Sequence, residues 1–209
     1  MNGFFQLARL TLTNTPAAWQ QLRMRLPHPA ERWSLLFATV ILSALVAWLL
    51  SQILGPATVP PGADPALQVM ATIRQLLEER PLTFTSLQLS WLLFAVVAVT
   101  LVGRLFGGRA RLDEVVLATG WMKAIMLVVQ VLQVIVVNLS MGLAAMLSVA
   151  ESALYLFLAV RLTQTVHGFS SMFKVAVMMI LAFFVILFAL ALLLVLLGLA
   201  PAGVPTHAL

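Results

Sequence analysis

Long apolar runs alternate with short polar stretches along this chain, and the length of each run decides what it can be. Residues 34–54, SLLFATVILSALVAWLLSQIL, carry no charge. About 20 apolar residues at about 1.5 Å each cover a hydrocarbon core of about 30 Å, so this run predicts a membrane-spanning helix. A second span is predicted over 83–103. From 115 to 160 only Lys123 and Glu151 are charged, which is too long for one crossing. The turn formers of NLSMG, 138–142, divide it into spans at 115–139 and 143–160. A fifth run, 175–197, is apolar all round and ends at Gly198 and Pro201. The fold class is therefore all-α: a polytopic membrane bundle of five transmembrane helices with short interfacial helices.

The polar stretches carry their own periodicities. Within 1–33, Thr15 can cap a helix, Pro16 suits its first turn, and Trp19, Leu22 and Leu26 share a face that Arg23 and Arg25 avoid. The segment is expected to be an amphipathic cytoplasmic arm that lies on the headgroups or packs on other loops. In the connection after span one, Asp64 can cap and Pro65 can start a helix with Leu67, Met70, Ile73 and Leu77 on one side. The divisions expected are 1–33 as the arm, 34–198 as the membrane domain and 199–209 as a short tail. The stretch 161–174, RLTQTVHGFSSMFK, reads as a polar loop.

Composition removes the alternatives. The chain has 209 residues, 62% hydrophobic and 9% charged, with a mean hydropathy of +1.07. A soluble surface would need about 25% charged residues. The net charge of +5 could serve nucleic acid, but the basic residues sit beside apolar runs, so no nucleic acid partner is expected. Arg9, Arg23, Arg25, Arg32, Arg104, Arg109, Arg111, Arg161 and Lys174 fall on one side of the predicted membrane, and only Arg74 and Arg80 on the other. The positive-inside bias then makes the N-terminus cytoplasmic and, with five spans, puts the C-terminus outside.

No catalytic constellation emerges. The chain has no cysteine. His28, His167 and His207 fall in predicted loops or tails without a ligand spacing, so neither a metal nor a cofactor is expected. No GxSxG occurs, and the Gly107 turn lacks the lysine of a phosphate loop. Two groups remain as candidate sites. Inside the membrane, Ser148, Glu151, Ser152 and Tyr155 share a face of span four, while Lys123, Gln130 and Gln133 lie on one side of span three. Glu151 should be paired or protonated at that depth, with Gln130 as a neighbour, serving as interhelical glue or as a proton relay. Outside, Arg104, Gly107, Gly108, Arg109, Arg111, Asp113 and Glu114 form a tight, mixed-charge turn that suits a protein partner or anionic headgroups.

Three stretches carry a resemblance: NTPAAWQQLR before span one, FGGRARLDEVVLATGW between spans two and three, and LYLFLAVRLTQTVHGFSSMFKVAVMMIL from span four into span five. Together they resemble the Yip family of five-span, Ypt/Rab-interacting membrane proteins, in its short bacterial form. Gly107, Gly108, Glu114 and Gly120 match its pattern, with Trp121 in place of a tyrosine and Ile125 where proline is usual. Val166, His167 and Gly168 match the approach to its last span. The resemblance implies five spans, a cytoplasmic N-terminus and a non-catalytic role, and its bacterial form implies a bacterial inner membrane with the C-terminus periplasmic. The function expected is that of a scaffold, accessory subunit or membrane organiser acting through the basic cytoplasmic loops. The partners expected are anionic lipid and another membrane or cytoplasmic protein, or a larger membrane complex. The alternative is a small transporter or ion-conducting protein that uses the level of Gln130 and Glu151.

Overall fold

The computed structural model describes residues 2–55 and 65–196, and within them the chain is helical with no strand. The proposed cap at Asp64, the helix stop at Gly198 and Pro201, and the tail at 199–209 lie outside the described residues. Eight helices follow in order: α1 (Asn2–Thr13), α2 (Thr15–Arg25), α3 (Pro29–Leu54), α4 (Pro65–Glu79), α5 (Pro81–Leu105), α6 (Leu112–Leu139), α7 (Met141–His167) and α8 (Met172–Leu196). Five of them, α3 and α5 to α8, are long and apolar enough to cross a membrane.

Helix α6 holds the bundle together. Its first half is buried on nearly every side, from Val115 and Val116 to Ile125 and Met126. Leu117 and Trp121 pack with Leu158 and Leu162 of α7 and with Leu7, Trp19 and Leu22 of the N-terminal helices. Val115 and Val116 instead meet Leu36 and Val40 of α3 and Leu92 and Val96 of α5. A third apolar layer joins Ala98 and Val102 of α5 to Val175, Met178 and Ala182 of α8. At Gly120 a Cβ would lie 3.1 Å from the Leu36 nitrogen, so α3 and α6 cross almost backbone to backbone. Small residues permit this where lipid supplies no hydrophobic drive. Ser43 and Ser51 of α3 are likewise buried. Large side chains such as Leu87, Met146 and Phe184 point outward, as a lipid-facing surface allows.

Several local expectations change. Residues 2–13, given no regular structure above, form α1, whose Leu7 and Thr11 are buried. Asn14, not Thr15, caps α2: its Oδ1 accepts from the Ala17 nitrogen at 3.2 Å, while the Thr15 hydroxyl donates to the Thr11 carbonyl at 2.8 Å. Trp19 and Leu22 are buried against the bundle, which favours packing over lying on headgroups. Ser140 alone separates α6 from α7. The polar loop expected at 161–174 is largely helix, because α7 continues to His167 and α8 begins at Met172. A polar sequence there marks a helix leaving the membrane, not a break in it.

Candidate functional site

At one end of the bundle, the starts of α3, α6 and α8 meet the ends of α5 and α7, beneath α1 and α2. Arg32 lies inside this end with its side chain 9% exposed. It donates to Asp113 at 2.5 Å and to the carbonyls of Leu26 and Pro27 at 3.0 and 3.3 Å. Arg111, 74% exposed, also reaches Asp113, at 3.3 Å. Glu114 caps α6 by accepting from the Arg111 nitrogen at 3.0 Å, which places a carboxylate at the positive end of the helix dipole. Its other oxygen meets Arg23 of α2 at 3.3 Å. Asp113 and Glu114 thereby tie α2 and α3 to the α5–α6 turn. Arg104 donates to the Ala110 carbonyl at 3.3 Å, bracing that turn from within.

The turn closes on α7. The Gly108 nitrogen donates to the Gly103 carbonyl at 2.8 Å, and the Arg109 nitrogen to the His167 carbonyl at 3.2 Å. Gly107 has φ +84°, a region that favours glycine. A Cβ on Gly108 would collide with the His167 ring, and one on Gly103 would stand 2.5 Å from its Nδ1. The spacing of Gly103 and Gly107 therefore serves the turn and its histidine within one chain.

His167, expected in a polar loop, is instead buried at the end of α7. It is 2% exposed, stacked on Phe169 with ring centres 5.4 Å apart, and neither ring nitrogen has a hydrogen-bond partner among the described residues. Leaving a buried polar group unsatisfied costs about 1–3 kcal/mol. Two cavities adjoin it. One is a polar cleft of about 700 Å³ bordered by Gln20, Arg23, Arg109 and Glu114. The other is an apolar crevice of about 220 Å³ between α5, α6, α7 and α8.

The intramembrane level divides into separate pairs. Gln130 accepts from Ser43 of α3 at 2.7 Å, so it does not serve Glu151. Gln133 donates to Ser148 at 2.5 Å, and Ser148 donates to the Ala144 carbonyl at 3.0 Å. The Ser152 hydroxyl donates to the Ser148 carbonyl at 2.9 Å. Glu151 and Lys123 lie within electrostatic reach of each other, and neither forms a hydrogen bond to a described residue. Tyr155 stands apart, on the rim of the apolar crevice. Among the described residues, no three side chains are grouped to hold a metal ion.

A family model, the Yip1 domain, matches residues 9–193. The chain belongs to the Yip1 family. No curated protein and no solved structure matches it. Together with five helices of spanning length, the match makes this an integral membrane protein in contact with lipid. The Yip1 family is not known for an enzymatic activity.

The positions that carry the Yip1 resemblance have distinct physical tasks here. Gly107 and Gly108 shape the α5–α6 turn, Glu114 caps α6, and Gly120 admits the backbone of α3. Gly168, at φ +71°, ends α7 in the left-handed conformation that favours glycine. Trp121 donates through its indole N–H to Thr11 at 2.9 Å and so pins α1 to α6. With Ile125 in place of proline, α6 runs unbroken to Leu139.

Proposed function

We propose that this Yip1 chain is a non-enzymatic scaffold or accessory subunit of a bacterial inner membrane, working through the face formed by α2 and the α5–α6 and α7–α8 turns. The observation that carries the reading is the anchoring of exposed cations on a fixed frame. Arg111 is 74% exposed, yet its backbone is held by the cap of Glu114 and its guanidinium by Asp113, which Arg32 holds from below. Arg109 is exposed beside it, on a backbone bonded to α7. A mixed-charge turn held at defined spacing discriminates between protein partners, whereas attraction to anionic lipid needs only charge. The face is cytoplasmic in this reading, with the N-terminus inside and the C-terminus outside, because this end of the bundle, with α1 and the start of α3 included, gathers nine of the twelve Lys and Arg residues.

The intramembrane pairs serve as glue between α3, α6 and α7. The bonds of Gln130 to Ser43 and of Gln133 to Ser148 run to different helices and form no continuous path, which supports glue over conduction. The test is affinity isolation of the full chain in mild detergent. The variant Arg109→Glu/Arg111→Glu is expected to insert normally and lose a defined co-purifying protein. Normal insertion with every partner retained would reduce the turn to a topology signal.

A further inference from the structure

The polar cleft and the apolar crevice meet at His167 and Val166, which border both. The imidazole there offers one donor and one acceptor, and no described residue takes either. Buried polar side chains are nearly always satisfied, so an orphan between two cavities marks the place of a ligand atom. On the polar side, Arg23 is engaged with Glu114 at 3.3 Å. The Arg109 side chain is exposed and has no side-chain partner among the described residues. One uncommitted cation and one uncommitted imidazole thus border the same cleft.

On the apolar side, the crevice extends from His167 past Thr119 and Thr163 to Trp91, Tyr155 and Phe183. Tyr155 and His167 are twelve residues apart on α7, a rise of about 18 Å. That is little more than half of a core of about 30 Å, the depth of one leaflet. Trp91 and Phe183 are 41% and 50% exposed, so the far end opens toward lipid.

We propose that this junction binds one anionic phospholipid, its phosphate at His167 and Arg109 and one acyl chain in the crevice between α5, α6, α7 and α8. A phosphate oxygen accepts from the imidazole N–H, and a guanidinium can pair with two phosphate oxygens at once. The shared chemistry is a phosphate ester. A soluble ester would satisfy the polar half and leave the crevice empty, whereas a phosphate-free lipid would fill the crevice and leave the guanidinium and the imidazole unmatched. This site goes beyond the scaffold reading, because it concerns retained lipid and not a protein partner.

The test uses the full chain in nanodiscs of equal parts phosphatidylglycerol and a phosphate-free galactosyldiacylglycerol, transferred to mild detergent, with retained lipid counted by native mass spectrometry. The wild type is expected to retain phosphatidylglycerol selectively. His167→Phe keeps the ring and its stack on Phe169 but removes both nitrogens. It and Arg109→Gln should each reduce retention about tenfold, the loss expected for one charge-assisted hydrogen bond. Arg109 is exposed, so its variant reports even if His167→Phe fails to fold. Thr163→Phe, which fills the crevice, should reduce retention as well. Equal retention of both lipids, or undiminished retention in Arg109→Gln, would overturn the site. Displacement by millimolar glycerol 3-phosphate, with Thr163→Phe without effect, would assign it to a free phosphate ester and overturn the lipid.

Discussion

Replacing Arg32 by methionine tests what holds the basic face to the membrane bundle. The arginine side chain is 9% exposed and satisfies Asp113 and the carbonyls of Leu26 and Pro27 together. Breaking a buried ion pair from one side costs about 3–5 kcal/mol, because the remaining charge stays desolvated. Asp113, however, keeps Arg111, a partner that is 74% exposed and 3.3 Å away. An exposed pair offsets less than about 1 kcal/mol, so Arg32→Met should cost about 3 kcal/mol. Asp113→Asn leaves Arg32 its two carbonyls and should cost about 2 kcal/mol, the loss of one hydrogen bond to a charged group. Since both changes remove one interaction, the double variant should fall short of additivity by about 2 kcal/mol. Reversible unfolding in mixed detergent micelles gives all four corners of the cycle. A coupling below about 0.5 kcal/mol, as at an open surface, would refute the buried tie between α3 and α6.

Three further outcomes follow from the packing. Gly103→Ala should destabilise the bundle by about 1–3 kcal/mol through its collision with the His167 ring, and His167→Ala in the same chain should restore most of that loss; absence of rescue would mean that the two do not meet. Glu151→Gln should change unfolding stability by less than about 1 kcal/mol, since membrane hydrogen bonds average about 0.6 kcal/mol and Glu151 has no described hydrogen-bond partner; a severe loss would reveal a true ion pair with Lys123. Because the chain has no cysteine, single cysteines at Gln75 and Arg111 can report sidedness with an impermeant thiol reagent. Gln75 should label from the periplasm and Arg111 only after the inner membrane is opened; the reverse pattern would invert the orientation.

The crossings were legible because a bilayer core demands about 20 apolar residues in a row, a signal that few other environments impose. The Ser140 break was legible too, since NLSMG is the one set of turn formers within a greasy run. Helix α1 was not, because a short helix packed on other helices needs only a narrow apolar face, here Phe4, Leu7 and Ala8. The last turns of α7 were misread for a related reason: RLTQTVH is polar because it leaves the membrane, and its helix continues regardless. Depth along α6 suggested Gln130 as a neighbour of Glu151, but depth does not say which helix a side chain faces. Gln130 turns to Ser43 of α3. The charged turn was visible as composition, whereas its tie through Arg32, two residues ahead of the span expected at 34–54, needed the packing of α3 against α6.

Photo-crosslinking in living cells tests the proposed protein-binding face most directly. Photoreactive residues would replace Met24 on α2 and Arg111 on the α5–α6 turn, with Leu82, at the opposite end of the bundle, as the control. Met24 and Leu82 are 73% and 83% exposed, so reach to a partner differs by face and not by burial. Positions 24 and 111 are predicted to capture the same discrete protein, and position 82 none. Capture from 82 alone, or no discrete product at either 24 or 111, would contradict a scaffold working through this face.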